Sequence, residues 1–195
     1  TLELLREAGL CAITGGGAEI LDQSVRDQIC RGKENADEWW EVHRTWHEMG
    51  MRSTATMLYG HIETAAQRVD HLRRLREWQD VTGGFTGFIP FAFEAEGARP
   101  DSVLTRIRHV TAFEELKNLA ISRIYLDNFD HFQSSWVTQG LEVGIRALEY
   151  GCDDMGSIMI EENVVRSAGT AFRVDTERMV ELIQNTGHRP VQRDT

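Results

Sequence analysis

A histidine and a glutamate two residues apart, directly after a glycine, are the side chains of this chain best placed to do chemistry. They close the stretch Thr54–Thr64, Thr-Ala-Thr-Met-Leu-Tyr-Gly-His-Ile-Glu-Thr, a β-prone run after which a helical pattern starts at once. Strand, glycine, reactive polar groups and helix is the layout of an α/β active-site loop, with function at the carboxyl end of a parallel strand. His61 can titrate near neutrality, and Glu63 can accept hydrogen bonds from sugar hydroxyls or handle a proton. The same residues also suit an ordinary βα turn, with Gly60 for the bend and Glu63 near the next helix N-terminus.

A second cluster repeats the layout. Leu10–Ile13 is a short apolar run leading into Thr14-Gly15-Gly16-Gly17-Ala18-Glu19. Successive glycines let a ligand approach the backbone, and the Glu19 carboxylate can accept from ribose hydroxyls. The Walker lysine and serine are missing, and so is the dinucleotide glycine spacing, so this is not a phosphate loop. A flexible turn is the plain alternative. Further along, Ser134, Ser135 and Trp136 are expected at one strand end, and Glu161, Glu162 and Asn163 at another. His43 and His47 share a helical face, but Arg44 stands where HExxH carries glutamate. They are expected on a solvated or satisfied face, and no metal site is expected.

The elements that must position these groups alternate. Strands are expected over Leu10–Ile13, Arg52–Tyr59, Phe85–Phe93, Phe132–Val137 and Asp154–Ile160. Helices are expected over Leu2–Ala8, Asp22–Ile29, Ala36–Met49, Thr64–Asp80, Phe113–Leu126, Leu141–Glu149, near Val164 and over Thr176–Asn185. Asn35 and Glu38 make a capping-box pattern, and Gly83-Gly84 ends the long fourth helix. Trp39, Val42 and Trp46 form one expected core stripe, and Val69, Leu72, Leu75 and Trp78 another. Phe91 and Phe93 either pack or line a pocket for a planar ligand. The helix–glycine–strand–polar-loop unit recurs about five times without an internal linker, which implies a parallel sheet with polar groups at the carboxyl ends of its strands. Spacing alone leaves an open doubly wound sheet and an incomplete barrel as alternatives.

Bulk properties narrow the classes. The chain of 195 residues is 41% hydrophobic and 27% charged, as in a globular protein with a substantial core. A formal net charge of -10 argues against a general nucleic-acid binder. No apolar run approaches the roughly 20 residues that span a bilayer, and no signal pattern opens the chain. Cys11, Cys30 and Cys152 lie far apart, without metal-ligand spacing, and read as buried or half-buried thiols of a reducing, cytoplasmic compartment. A first residue of Thr1, inside an apparent helix, suggests a piece of a longer protein.

Five segments occur together and in order: Gly15–Leu21 (GGGAEIL), Thr56–Thr64 (TMLYGHIET), Thr82–Pro90 (TGGFTGFIP), Ser135–Gly140 (SWVTQG) and Met159–Val165 (MIEENVV). They resemble the futalosine-pathway radical S-adenosylmethionine (SAM) enzymes of menaquinone biosynthesis and their relatives in deazaflavin (FO) synthesis. The last two segments, with the closing Gln192–Thr195, are most similar to the branch that cyclises dehypoxanthine futalosine. The resemblance implies a TIM-type (β/α) barrel holding a 4Fe–4S cluster and SAM. It also implies a 5′-deoxyadenosyl radical that takes hydrogen from the ribose, followed by attack of the carbon radical on the benzoate ring. The family's CxxxCxxC cluster loop is absent, and the first strand here resembles the family's fourth. The resemblance therefore implies a single domain, 1–195, equivalent to strands 4–8, inactive alone and completed by a missing N-terminal barrel half and an external electron donor.

Residue by residue, the resemblance places Gly15, Gly16, Gly17 and Glu19 at SAM's ribose and Lys33 at SAM's carboxylate. His61 and Glu63 are implied as catalytic. Trp136, Thr138 and Glu162 are implied to face substrate, and Arg193 to pair with the substrate's benzoate carboxylate. Three alternatives stand beside this. One is a sister activity, aminofutalosine synthase or an FO synthase component. Another is a non-catalytic barrel fragment that associates through unpaired edges. The last is a metal-dependent lyase using His61, Glu63 and His109.

Overall fold

The computed structural model describes residues 1–95, 103–158 and 174–193. Its frame is a parallel sheet of β1 (Ala12–Ile13), β2 (Arg52–Tyr59), β3 (Phe85–Ala92) and β4 (His131–Phe132), adjacent in that order. One further segment joins beyond β4 through a single parallel bridge, Gln133 to Asp154. The strand order never reverses. A doubly wound sheet reverses at a switch point, whereas sequential order with right-handed crossovers puts every connecting helix on one face, as in a (β/α) barrel. Pairing order thus settles what spacing left open: the fold is α/β, an incomplete barrel.

Helices α1 (Leu2–Glu7), α2 (Gln23–Ile29), α3 (Ala36–Glu48), α4 (Ala65–Thr82), α5 (Ala112–Tyr125), α6 (Trp136–Gln139), α7 (Leu141–Arg146) and α8 (Thr176–Asn185) precede, connect and follow the strands, with 3-10 turns at Val103–Arg106 and Ala147–Tyr150. Local chemistry sets the starts. Asn35 with Glu38, Thr64 with Gln67 and Thr111 with Glu114 each form a capping box, satisfying two otherwise orphaned donors at the N-termini of α3, α4 and α5. Gly83, at φ 58°, ends α4 in the left-handed conformation.

The pleat divides the sheet into two faces. Ala55, Met57 and Tyr59 of β2 and Phe88 and Ala92 of β3 are buried with Leu72 and Leu75 of α4 and Leu119 of α5. The alternate residues, Thr54 and Leu58 of β2 and Ile89 and Phe91 of β3, are only half-buried on the other face. Pairing of Leu58 with Phe91 and of Thr56 with Ile89 fixes that division. Pro90 is tolerated inside β3 because Phe93 N donates to Tyr59 O, so alternation turns the proline nitrogen to the other side, past the end of β4.

Several expectations need correction. The fourth strand stops at Phe132, and Trp136–Gln139 is helical: Ser135 O accepts from the N–H groups of Thr138 and Gln139 and turns the chain out of the sheet. The short apolar run Trp136-Val137 has no periodicity to separate strand from helix. Of the described part of the expected fifth strand, only Asp154 pairs; its Oδ1 accepts from Gly156 N at 2.7 Å, and Gly156 adopts φ 68°. Residues 159 and 160 of that strand, and the helix expected near Val164, lie outside the described residues. Trp39 and Trp46 are buried as expected, but Val42 and Val69 are exposed. Cys11 is exposed, while Cys30 and Cys152 are buried.

His43 and His47 belong to a buried polar layer at the amino end of β2. Ser53 Oγ lies 2.9 Å from His43 Nδ1 and 2.7 Å from His47 Nε2, and Thr82 Oγ1 lies 2.8 Å from His47 Nδ1. Burial, with the neighbouring His47 charge, holds His43 down to about 3; burial, with Arg52, holds His47 down to about 4. Both rings are therefore neutral and satisfied rather than solvated. No helix among the described residues is long and apolar enough to cross a membrane.

Candidate active site

The glycine run leaves β1 pressed against β2. A Cβ on Gly15 would sit 2.7 Å from Ala55 Cα and Thr54 O, so only glycine fits there. Gly15 N donates to Thr54 Oγ1 at 3.0 Å, and Thr56 Oγ1 donates to Gly15 O at 2.6 Å. Gly16 O accepts from Trp39 Nε1 at 3.1 Å, while a Cβ on Gly16 would meet nothing closer than Thr14 Oγ1 at 3.5 Å. Backbone at Gly16 is thus open to a ligand. Gly17 then turns at φ 87°.

Beneath this run lies Arg26 of α2, 2% exposed. Its guanidinium donates to Ala18 O at 2.5 Å, Gly17 O at 3.0 Å, Ile20 O at 3.4 Å and Glu34 O at 2.5 Å. Glu19, at φ 42°, takes Leu58 N on its carbonyl at 2.9 Å and Lys33 Nζ on its carboxylate at 2.8 Å. The hydrogen bond to Glu19 holds the Lys33 ammonium above its ordinary value.

The loop after β2 is held by Glu63. Its Oε1 accepts from Gly60 N and Arg68 Nε, each at 2.6 Å, and its Oε2 accepts from His61 N at 2.8 Å and lies 3.0 Å from His61 Nδ1. Burial alone would raise the Glu63 acid, but the His61 contact, the hydrogen bond from Gly60 N and the charge of Arg68 outweigh it and hold the group down to about 2. His61 Nε2 lies 3.0 Å from Leu58 O, a carbonyl that can only accept, so Nε2 carries a proton. Nδ1 accepts from Ile62 N at 2.8 Å.

Glu19, His61 and Phe93, from the loops after β1, β2 and β3, meet around a cavity of ≈ 70 Å³ whose other walls are Ile29, Cys30, Leu58 and Leu104. His61 and Phe93 make an edge-on contact, with centroids 6.0 Å apart. A larger cleft of ≈ 360 Å³ opens over the turn between α2 and α3, its lining including Arg26, Asp27, Cys30, Arg31, Lys33 and Glu34. That cleft lies on α2 and the turn after it; the smaller cavity is the one at the strand ends.

The structure therefore brings Gly15, Gly16, Gly17, Glu19, Lys33, His61 and Glu63 to the carboxyl ends of β1 and β2. Of these, Glu19 and His61 line the small cavity and Lys33 lines the larger cleft; the remaining expected site residues, where described, are held elsewhere. Trp136, 2% exposed, packs with Ile145, Met155 and Met179 in a second apolar cluster. Thr138 Oγ1 donates to Ser135 O at 2.9 Å. Arg193 Nε lies 2.9 Å from Asp154 Oδ2. Glu162 lies outside the described residues. His109 Nδ1 is 3.0 Å from Glu94 Oε2, and among the described residues no group of three His, Cys, Asp or Glu side chains converges as a metal site would require.

Sequence reading missed Arg26, Arg68 and Leu104. Arg26 carried a faint signal, next to Val25 and three residues before Ile29 on the apolar side of α2. Arg68 lies one turn into α4, five residues beyond the carboxylate it meets. It also missed Glu115, buried on α5 and pushed up to about 7 by burial and by the charge of Glu94.

Residues 82–195 match the family model of the CofH/MqnC C-terminal region. The chain is 45% identical over 195 residues to the aminodeoxyfutalosine synthase of Thermus thermophilus, covering 99% of this chain and 52% of that protein. It is also 45% identical over 194 residues to the cyclic dehypoxanthine futalosine synthase of Halalkalibacterium halodurans, covering 100% of this chain and 51% of that protein. The chain thus spans about half the length of the curated relatives it matches. Among solved structures, methylornithine synthase (PylB) superposes with a TM-score of 0.75 at 17% identity, over 98% of this chain and 55% of that one. That likeness speaks for the fold alone.

Proposed function

We propose, on the premise that this chain belongs to the CofH/MqnC family, that the whole protein is a radical SAM enzyme of the futalosine route to menaquinone that cyclises dehypoxanthine futalosine. The observation that carries this reading is the meeting of Glu19 and His61, from consecutive βα loops, at one cavity. Bound there, SAM supplies radical hydrogen abstraction, the hard step that a cofactor rather than a side chain performs.

The residues present suit SAM. Gly16 offers open backbone, and the Glu19 carboxylate, steadied by Lys33, accepts from ribose hydroxyls. Lys33 remains the candidate partner for the amino-acid carboxylate. A cavity of ≈ 70 Å³ holds only about two waters. The rest of a nucleoside-sized site comes from the half-buried face of the sheet and from protein outside this chain. The residues present do not suit a 4Fe–4S cluster: the three cysteines lie at positions 11, 30 and 152, two of them buried. The cluster belongs with the missing N-terminal barrel half, electrons come from an external donor, and we expect no turnover from these 195 residues alone.

Within the loop, His61 is the proton-handling group and Glu63 its positioning residue. The proton released from the cyclised ring would be taken at Nδ1, which would trade the Ile62 N–H bond for a charge-assisted one to Glu63 Oε2 while Nε2 stays on Leu58 O. From the resemblance, Trp136, Thr138 and Glu162 are the proposed substrate contacts, and Arg193 leaves Asp154 to take the substrate's benzoate carboxylate.

The equal identity to an aminodeoxyfutalosine synthase favours that activity as a second reading. Mass analysis of products from the full-length, cluster-loaded protein separates the two. Cyclisation yields a product lighter than dehypoxanthine futalosine by a pair of hydrogens. No change in dehypoxanthine futalosine, with aminodeoxyfutalosine formed from the other enzyme's substrates, overturns our first reading in favour of the second.

A further inference from the structure

We infer that Arg26 is the positioning residue of the glycine loop: its buried guanidinium fixes the Gly17–Ile20 backbone against Glu34 and so sets where Glu19 and Lys33 meet the nucleoside ligand. The inference rests on the reading of this loop as the SAM site.

Arg26 sits in the interior with its charge met by backbone oxygen: Gly17, Ala18 and Ile20 on one side and Glu34 on the other. A buried cation is tolerated only when hydrogen-bonded this fully. Among the described residues its Nε has no partner, so the side chain is placed for the reach of its terminal nitrogens rather than for the satisfaction of every donor. The two segments it joins are the ones that carry the ligand-facing charges. Glu19 lies between the Ala18 and Ile20 carbonyls. Lys33 directly precedes Glu34 and closes back on Glu19 Oε1 at 2.8 Å. Arg26 and the Lys33–Glu19 pair therefore bracket the loop from below and from its outer side. A planar fork can address both segments at once; an ammonium, a point donor, cannot.

The test uses the full-length protein and S-adenosylhomocysteine as probe, with Arg26→Lys and Arg26→Ala. Two readouts are taken, the dissociation constant by calorimetry and amide hydrogen exchange. Arg26→Lys is expected to weaken binding about tenfold, the scale of a displaced positioning contact. Exchange is expected to accelerate over residues 15–20 and 33–35 and to stay unchanged over α4 and α5. Millimolar guanidinium is expected to restore part of the affinity of Arg26→Ala. Unchanged affinity in Arg26→Lys, where Glu19→Gln does weaken binding, overturns the inference. So does a uniform rise in exchange across the chain, which is the mark of a general stabiliser. Should Arg26→Ala fail to fold, Arg26→Lys alone decides. If Glu19→Gln binds the probe as wild type does, the SAM reading of the loop fails; localised exchange in Arg26→Lys then still upholds the clamp.

Discussion

Glu63 Oε2 lies 3.0 Å from His61 Nδ1, and both side chains are wholly buried. The same carboxylate caps two backbone N–H groups and meets Arg68, so one side chain fixes the turn, the imidazole and the entry to α4. Removing it leaves buried donors without partners. Glu63→Ala is expected to lower the unfolding free energy by about 1–3 kcal/mol, the usual cost of orphaned buried groups, as read from urea denaturation. His61→Ala, which keeps the carboxylate and its turn, is expected to cost less. Both are expected to cut turnover of the full-length protein at least about tenfold. Wild-type turnover in both variants would refute the roles given to this pair.

Acid sensitivity follows from two sets of depressed groups. His43 and His47, held near 3 and 4, contribute stability that is fully present above the ordinary histidine value of about 6.5 and is lost as the pH falls toward those lower values. Glu63, held near 2, contributes stability present above about 4.3 and lost as the pH falls through its folded value. The urea midpoint is therefore expected to drop between pH 7 and pH 5, offset in part by Glu115, whose acid, raised to about 7, gains stability as the pH falls, and the drop is expected to be smaller in His43→Gln. An equal drop in that variant would remove the histidine layer as the cause.

Neighbouring glycines of one loop are expected to behave differently. Gly15→Ala drives a Cβ into the backbone of β2, and is expected to destabilise by about 1–3 kcal/mol or more, as overpacking does. Gly16→Ala makes only an ordinary contact with Thr14 Oγ1, so its melting temperature is expected to match wild type while affinity for S-adenosylhomocysteine falls. Thermal melts and calorimetry on the pair separate a packing glycine from a ligand-facing one.

Arg193→Ala breaks a surface pair with Asp154, whose loss is expected to change stability by less than about 1 kcal/mol. In turnover of dehypoxanthine futalosine the same change is expected to raise KM about tenfold with kcat preserved, since a remote carboxylate contact contributes uniform binding. An unchanged KM would leave Arg193 as a tie for the tail alone.

Much of this architecture was legible from residue patterns. Asn35 with Glu38 announced α3, the glycines at 83 and 84 closed α4, and the β-prone run from Arg52 gave β2 to the residue. Those signals are local, so they survive without knowledge of the fold. Strand ends near Trp136 and Asp154 were not legible, because a hydroxyl turn at Ser135 and the bend at Gly156 override short apolar runs. Site legibility divided similarly. Glu19 and His61 were visible because glycine and polar residues follow strands. Arg26 was not, because a buried cation held by carbonyls leaves no partner charge in the sequence to betray it.

Crystals of the full-length protein grown with SAM would test the central claim most directly. The account predicts ribose oxygens within hydrogen-bond distance of the Glu19 carboxylate, the adenosyl group along Gly15–Gly17, and His61 and Phe93 on the adjoining wall. Ligand density with no atom near Glu19 or His61 would contradict it.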